Sequence, residues 1–158
     1  IGKRNIMNAA QETFISSTFW SDRIGPSAAL KTIEVMESNQ SWNKITDIGN
    51  NIKERWRLLA EKYKIPIEVY GLSSLCAFSI DSKYANEYIT YITQEMLKKN
   101  YLASDCIYVS IAHSEKIVDQ YFDYLEPIFK KISEFEKNGN IINYLEVPTK
   151  HTTFARLN

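Results

Sequence analysis

Ile67-Glu68-Val69-Tyr70-Gly71-Leu72-Ser73-Ser74-Leu75-Cys76-Ala77-Phe78-Ser79-Ile80 is the stretch that decides the fold. Two short runs rich in β-branched and aromatic residues, Ile67 to Tyr70 and Leu75 to Ile80, flank Gly71-Leu72-Ser73-Ser74, and a connection this short lets them pair antiparallel. Pro66 stands just before the first run and ends the helix that precedes it. In that helix Ile45, Ile48, Ile52, Trp56 and Leu59 make an apolar stripe that reads as core, with Ser41 as cap and an end near Lys64. Downstream, Asp81 or Ser82 begins a helix whose buried face carries Tyr84, Tyr88, Ile92 and Met96, with Lys98 and Lys99 near its negative end. Ile107 to Ile111 reads as a third strand. Ser114 caps a long last helix carrying Val118, Phe122, Leu125, Phe129 and Ile132; Pro127 bends it and Asn138-Gly139-Asn140 stops it.

Upstream of the hairpin, Ala29, Ile33 and Met36 share one face of a helix that ends near Ser38-Asn39. Helices first, then strand, strand, helix, strand and helix predict an α/β fold: a small antiparallel sheet of about three strands, covered on one face by helices. A chain of 158 residues buries roughly two thirds of its unfolded surface, enough for one core. The sequence contains no Gly-, Ser- or Pro-rich linker, internal repeat or low-complexity segment.

Lys plus Arg and Asp plus Glu are 19 each. With that balance no global field steers the chain toward nucleic acid or an anionic membrane. No apolar run approaches the roughly 20 residues that span a bilayer, and the default expectation is a cytoplasmic protein. Cys76 and Cys106 each fall inside a strand-like apolar stretch and read as buried free thiols. Neither they nor the two histidines have metal-ligand spacing.

Ser16-Ser17-Thr18-Phe19-Trp20-Ser21-Asp22-Arg23-Ile24-Gly25-Pro26 carries the densest polar chemistry. Its hydroxyls and backbone N–H groups can hold an anion, Arg23 can make a two-pronged contact with a carboxylate or phosphate, and Pro26 suits the first turn of a helix. The same cluster also fits an ordinary Ser/Thr-rich helix cap.

Four segments, in order, resemble the class III pyridoxal-phosphate (PLP) aminotransferases, the group that includes glutamate-1-semialdehyde aminomutase. Gly2-Lys3-Arg4-Asn5-Ile6-Met7 is similar to the Gly-basic-basic-x-Ile-Met segment that follows the family's cofactor-binding lysine. Thr18-Phe19 with Gly25-Pro26-Ser27-Ala28-Ala29 resembles its Thr-Phe-x-Gly-Asn-Pro loop, with extra residues between Phe and Pro. Ser110-Ile111-Ala112-His113-Ser114-Glu115-Lys116-Ile117-Val118-Asp119 is similar to the signature where the last strand enters a long helix. His151-Thr152-Thr153-Phe154-Ala155-Arg156-Leu157 resembles the ending of one aminomutase-like branch.

The resemblance implies the C-terminal portion of such an enzyme. Residues 1–36 would complete the large cofactor domain and subunit interface, and residues 37–158 would form the small α/β domain of the fold-type I aminotransferases. The Schiff-base lysine would lie before Ile1, so the chain alone should be inactive and should not retain PLP. In the intact homodimer Thr18, supported by Ser17, would contact the cofactor phosphate across the subunits. Trp20, Arg23 and Arg156 are substrate-side candidates, although Arg23 lies among the loop's extra residues and fits a solvated arginine equally well. The implied chemistry is that of PLP with a small amino or oxo substrate, without metal. His113 reads as a hydrogen-bonding residue at a strand-to-helix corner, and His151 as part of a docked tail. The competing reading is a stand-alone interaction or small-metabolite-binding module.

Overall fold

The computed structural model describes residues 3–12 and 22–151. The chain divides into two units, Ile1–Asn39 and Gln40–Asn158. In the first, helix α1 (Arg4–Met7) runs into a 3-10 turn over Asn8–Gln11, and α2 spans Ile24–Asn39 with Pro26 in its first turn. No residue of α2 is buried, so Leu30, Ile33 and Met36 show their apolar side chains to solvent.

The second unit runs α3 (Ser41–Tyr63), β1 (Ile67–Leu72), β2 (Leu75–Ile80), α4 (Ala85–Leu97), β3 (Cys106–Tyr108), α5 (Glu115–Asn138) and a 3-10 turn over Ile141–Tyr144. The strands form one antiparallel sheet in the order β1-β2-β3. This is the expected α/β arrangement with a small three-stranded antiparallel sheet.

Register assigns the faces. Val69 pairs with Phe78, Ile67 with Ile80, and Cys76 with both Gly71 and Ile107. In β2 Cys76, Phe78 and Ile80 are buried, so this is the inner face. Against it pack Ile52, Trp56 and Leu59 of α3, Tyr88, Ile92 and Met96 of α4, and Phe122, Leu125, Phe129 and Ile132 of α5. The Phe78 ring sits edge-on to Trp56 at 4.9 Å and to Phe129 at 6.3 Å. Each fully buried side chain of this size contributes about 1.5–3 kcal/mol. The outer face carries Tyr70, Leu72, Leu75 and Tyr108, all exposed. Cys106 pairs with Ala77 on that outer side and is half-buried rather than buried, whereas Cys76 is buried on the inner side. The two free thiols therefore lie on opposite faces of the sheet.

Element ends depart from the sequence reading where turn chemistry decides. Strand β1 continues through Gly71 and Leu72, leaving Ser73-Ser74 as the whole hairpin loop. Gly71 makes this possible with φ 83°, where a Cβ would stand 2.4 Å from Leu75 O. Ser41 is the first residue of α3 rather than its cap; Gln40, left-handed at φ 47°, turns the chain into the helix. Helix α4 starts at Ala85, not at Asp81 or Ser82. Asp81 N donates to Pro66 O (2.8 Å) and Ser82 Oγ accepts from Tyr84 N (3.2 Å), so both residues are spent on a turn. Strand β3 begins at Cys106 and stops at Tyr108. The ends of α5 follow expectation: Ser114 Oγ accepts from Ile117 N (3.4 Å), and Gly139, left-handed, returns its N–H to Phe135 O (2.7 Å). Among the described residues no helix is long and apolar enough to cross a membrane, and no group of three metal-ligating side chains forms.

Candidate functional site

Of the site residues read from the sequence, Ser17, Thr18, Trp20 and Arg156 lie outside the described residues. Arg23 is exposed in the bend that leads into α2. Beside it, Asp22 Oδ1 accepts from Ile24 N at 3.0 Å. A carboxylate thus serves the first free N–H of α2, the position an incoming anion would take.

The Ser110–Asp119 segment builds a corner between β3 and α5. Ser110 N donates to His113 Nδ1 (3.0 Å), Ser110 Oγ lies 3.1 Å from the same nitrogen, and Ala112 N donates to Ser110 Oγ (3.3 Å). Since a backbone N–H can only donate, Nδ1 is the acceptor, and the neutral ring carries its hydrogen on Nε2. The serine and histidine of the motif therefore satisfy backbone groups that the turn would otherwise strand. Asp119 accepts from Arg55, which also lies over the Phe122 ring at 4.2 Å, tying α5 to α3.

Helix α4 carries a polar line on a largely apolar helix, Thr90, Gln94 and, just past its end, Lys98, four residues apart. Gln94 donates to Tyr144 O (3.0 Å) and accepts from Glu146 N (2.7 Å), holding the C-terminal segment as a paired strand would. Thr90 Oγ1 accepts from Lys150 N (2.9 Å), and Lys98 reaches both Glu95 and Glu146. Lys150 Nζ pairs with Asp105 (2.7 Å). Burial works against the Asp105 charge, yet the Lys150 ammonium and the Ser104 hydroxyl hold its carboxyl below the usual range. The regular spacing of Thr90, Gln94 and Lys98 is a signal that sequence reading could have used.

A cavity of about 390 Å³ lies between β3, the 100–103 segment and the start of α5. Ile52, Ile107, Val118 and Tyr121 form its apolar depth, with Cys106 and His113 in the wall. Burial pushes the Tyr121 hydroxyl well above the usual tyrosine range, so it stays protonated and accepts from Trp56 Nε1 at 3.1 Å. Among the described residues no carboxylate, ammonium or guanidinium lines the cavity. Sequence reading missed it because its walls come from four separated segments.

No protein-family model matches the chain, and the search among curated proteins finds no match. Among solved structures, the chain is similar to the FumI protein of Sphingopyxis sp. MTA144 in its PLP internal aldimine form, with TM-score 0.76 and 14% identity. The match covers 87% of this chain and 34% of that one, so this chain spans about a third of the length of the solved protein it resembles. At this identity the likeness is one of fold.

Proposed function

We propose that this chain supplies the small domain, and through its N-terminal segment part of the cofactor site, of a PLP-dependent enzyme of the class III aminotransferase kind. The reaction would be an amino transfer or aminomutation on a small amino or oxo substrate, in a homodimer. The observation that carries this reading is the shared fold, over most of the chain, with a protein solved in a PLP-bound form. The order of the four sequence segments supports it. So does the corner chemistry of Ser110 and His113, which gives the third segment a physical reason for its residue types.

The one helix start in the first unit that could hold an anion already has the Asp22 carboxylate. The phosphate contact assigned to Thr18 and Ser17 rests on the loop motif.

Two measurements test the reading. In the assembled enzyme Thr18→Val keeps the side-chain shape and removes the donor. Losing a charge-assisted hydrogen bond of about 1.5–3 kcal/mol should weaken PLP affinity by roughly one to two powers of ten. A lowered melting temperature with unchanged PLP affinity would instead make Thr18 a turn or cap residue. Second, the 158-residue chain treated with PLP and borohydride should show no stoichiometric adduct at a single lysine and no turnover. Such an adduct with activity would overturn the division of labour proposed here.

A further inference from the structure

Asn138-Gly139 is the only asparagine-glycine pair in the sequence, and it stands at the end of α5. An asparagine can close on itself when the backbone nitrogen of the next residue attacks its carboxamide carbon. A side chain on that next residue shields the nitrogen and stiffens the backbone, and glycine does neither. The other asparagines inside the chain are followed by residues with a side chain, such as Ile52 after Asn51, Tyr101 after Asn100 and Ile141 after Asn140. Asn138 and Gly139 are both exposed, so water reaches the carboxamide and ammonia can leave.

The fold holds this pair in an unreactive arrangement. Asn138 is the last helical residue of α5, and Gly139, left-handed at φ 66°, donates its N–H to Phe135 O at 2.7 Å. Ring closure needs the Gly139 nitrogen free and Asn138 turned out of its helical ψ of about −42°. Both require the last turn of α5 to open. That turn is clamped on either side, since Phe135 before it and Ile141 after it are buried. The Phe135 ring packs against Tyr144 at 4.8 Å, and Gln94 holds the Tyr144 carbonyl and the Glu146 N–H. Docking of the C-terminal segment on α4 thus keeps the cap closed.

We infer that Asn138-Gly139 is a self-modification site gated by the α5 cap, and that its conversion to isoaspartate releases the C-terminal segment for good. When the cap opens, the Gly139 nitrogen gives its proton to water or hydroxide and bonds to Asn138 Cγ. The Cγ–Nδ2 bond breaks, and the nitrogen takes up a proton and leaves as ammonia. Water then opens the cyclic imide: attack at Cγ yields aspartate, and attack at the main-chain carbonyl yields isoaspartate. No oxidant or reductant takes part. Isoaspartate carries the main chain through Cβ and Cγ, which adds a methylene between α5 and Ile141, and it leaves a carboxylate at the negative end of the helix. The Gly139 cap bond and the buried seat of Ile141 then no longer fit one chain path. This inference stands apart from the proposed enzymatic role and does not depend on it.

The test incubates the chain at mildly alkaline pH, folded and in guanidinium chloride, and follows each asparagine by peptide mass spectrometry with an isoaspartate-specific methyl-transfer assay. In guanidinium chloride Asn138 should convert before any other asparagine. In the folded chain it should convert about ten- to a hundredfold more slowly, as for a reaction that waits on a local opening. Gln94→Leu should raise the folded rate by about threefold or more and leave the rate in guanidinium chloride unchanged. Isoaspartate-containing chains, separated by their added charge, should exchange the Glu146 and Lys150 amides about tenfold faster than unconverted chains. Another asparagine converting first in guanidinium chloride would overturn the site. Equal folded and unfolded rates, no conversion in the folded chain, or a Gln94→Leu variant that converts no faster would overturn the gate. Unchanged Glu146 and Lys150 exchange in the converted chain would overturn the release.

Discussion

A Cβ on Gly49 would stand 1.8 Å from the carbonyl oxygen of Ser73, so α3 and the hairpin loop approach more closely than any residue other than glycine permits at that point. Ser73 Oγ also donates to Asn50 Oδ1 at 2.6 Å, pinning the loop to the next residue of the helix.

Gly49→Ala should therefore destabilise the second unit by about 1–3 kcal/mol, because the obstacle is backbone and cannot swing aside. Gly25→Ala, which meets nothing within 4 Å, should carry no such penalty. Urea unfolding of both variants checks the contrast.

Tyr121→Phe removes the acceptor for the buried Trp56 Nε1. A stranded buried N–H costs about 1–3 kcal/mol. Unfolding should shift by that amount while the far-ultraviolet spectrum stays the same, since the ring still fills its place. An unchanged unfolding midpoint would show that the indole N–H finds another partner.

Gln94→Leu breaks both bonds that hold the C-terminal segment to α4. The Glu146 and Lys150 amides should then exchange with solvent at least about tenfold faster, an opening cost lower by about 1.4 kcal/mol or more. Amides in the middle of α5, whose inner face is buried by other residues, should keep their protection.

Acid should loosen the same segment. Burial opposes the charges of Asp105 and Glu95, but Lys150 and Ser104 on the one, and Lys98 and Gln94 on the other, hold both carboxyls below their usual range. A carboxyl lowered in the folded state contributes stability above its unfolded value, about 3.9 for Asp and 4.3 for Glu, and loses it as pH falls through the lower folded value. Melting temperature should therefore drop between about pH 5 and pH 2, and Asp105→Asn should flatten part of that fall. A variant with the same pH profile as the parent would remove Asp105 from the account.

The hairpin and the α3 and α5 stripes were legible because burial alone dictates them: Phe78 and Trp56 have to face the core whatever the loops do. Asp81, Ser82 and Ser41 misled because each can serve either as a cap or as a turn, and the choice is made by Pro66 O and by Gln40, whose conformations no local pattern reveals. The fold was thus largely readable. The candidate site was not: Thr18, Ser17, Trp20 and Arg156 lie outside the described residues, and Arg23 is exposed beside a carboxylate cap. The cavity escaped because Ile52, Tyr101, Cys106 and Tyr121 are unremarkable in their own segments and meet only after the sheet and helices close.

The placement of Cys76 and Cys106 on opposite faces has a consequence for oxidation. Although the two residues sit on neighbouring rungs of the ladder, their side chains diverge, and a bridge needs sulfurs that converge. An oxidant cannot lock the sheet from within. Burial also pushes the Cys76 thiol up, away from the reactive thiolate, leaving Cys106 on the outer side as the sulfur that oxidants meet first. Ageing in air should accordingly yield chains joined in pairs through Cys106, with Cys76 intact, and a reductant should return them to the starting form.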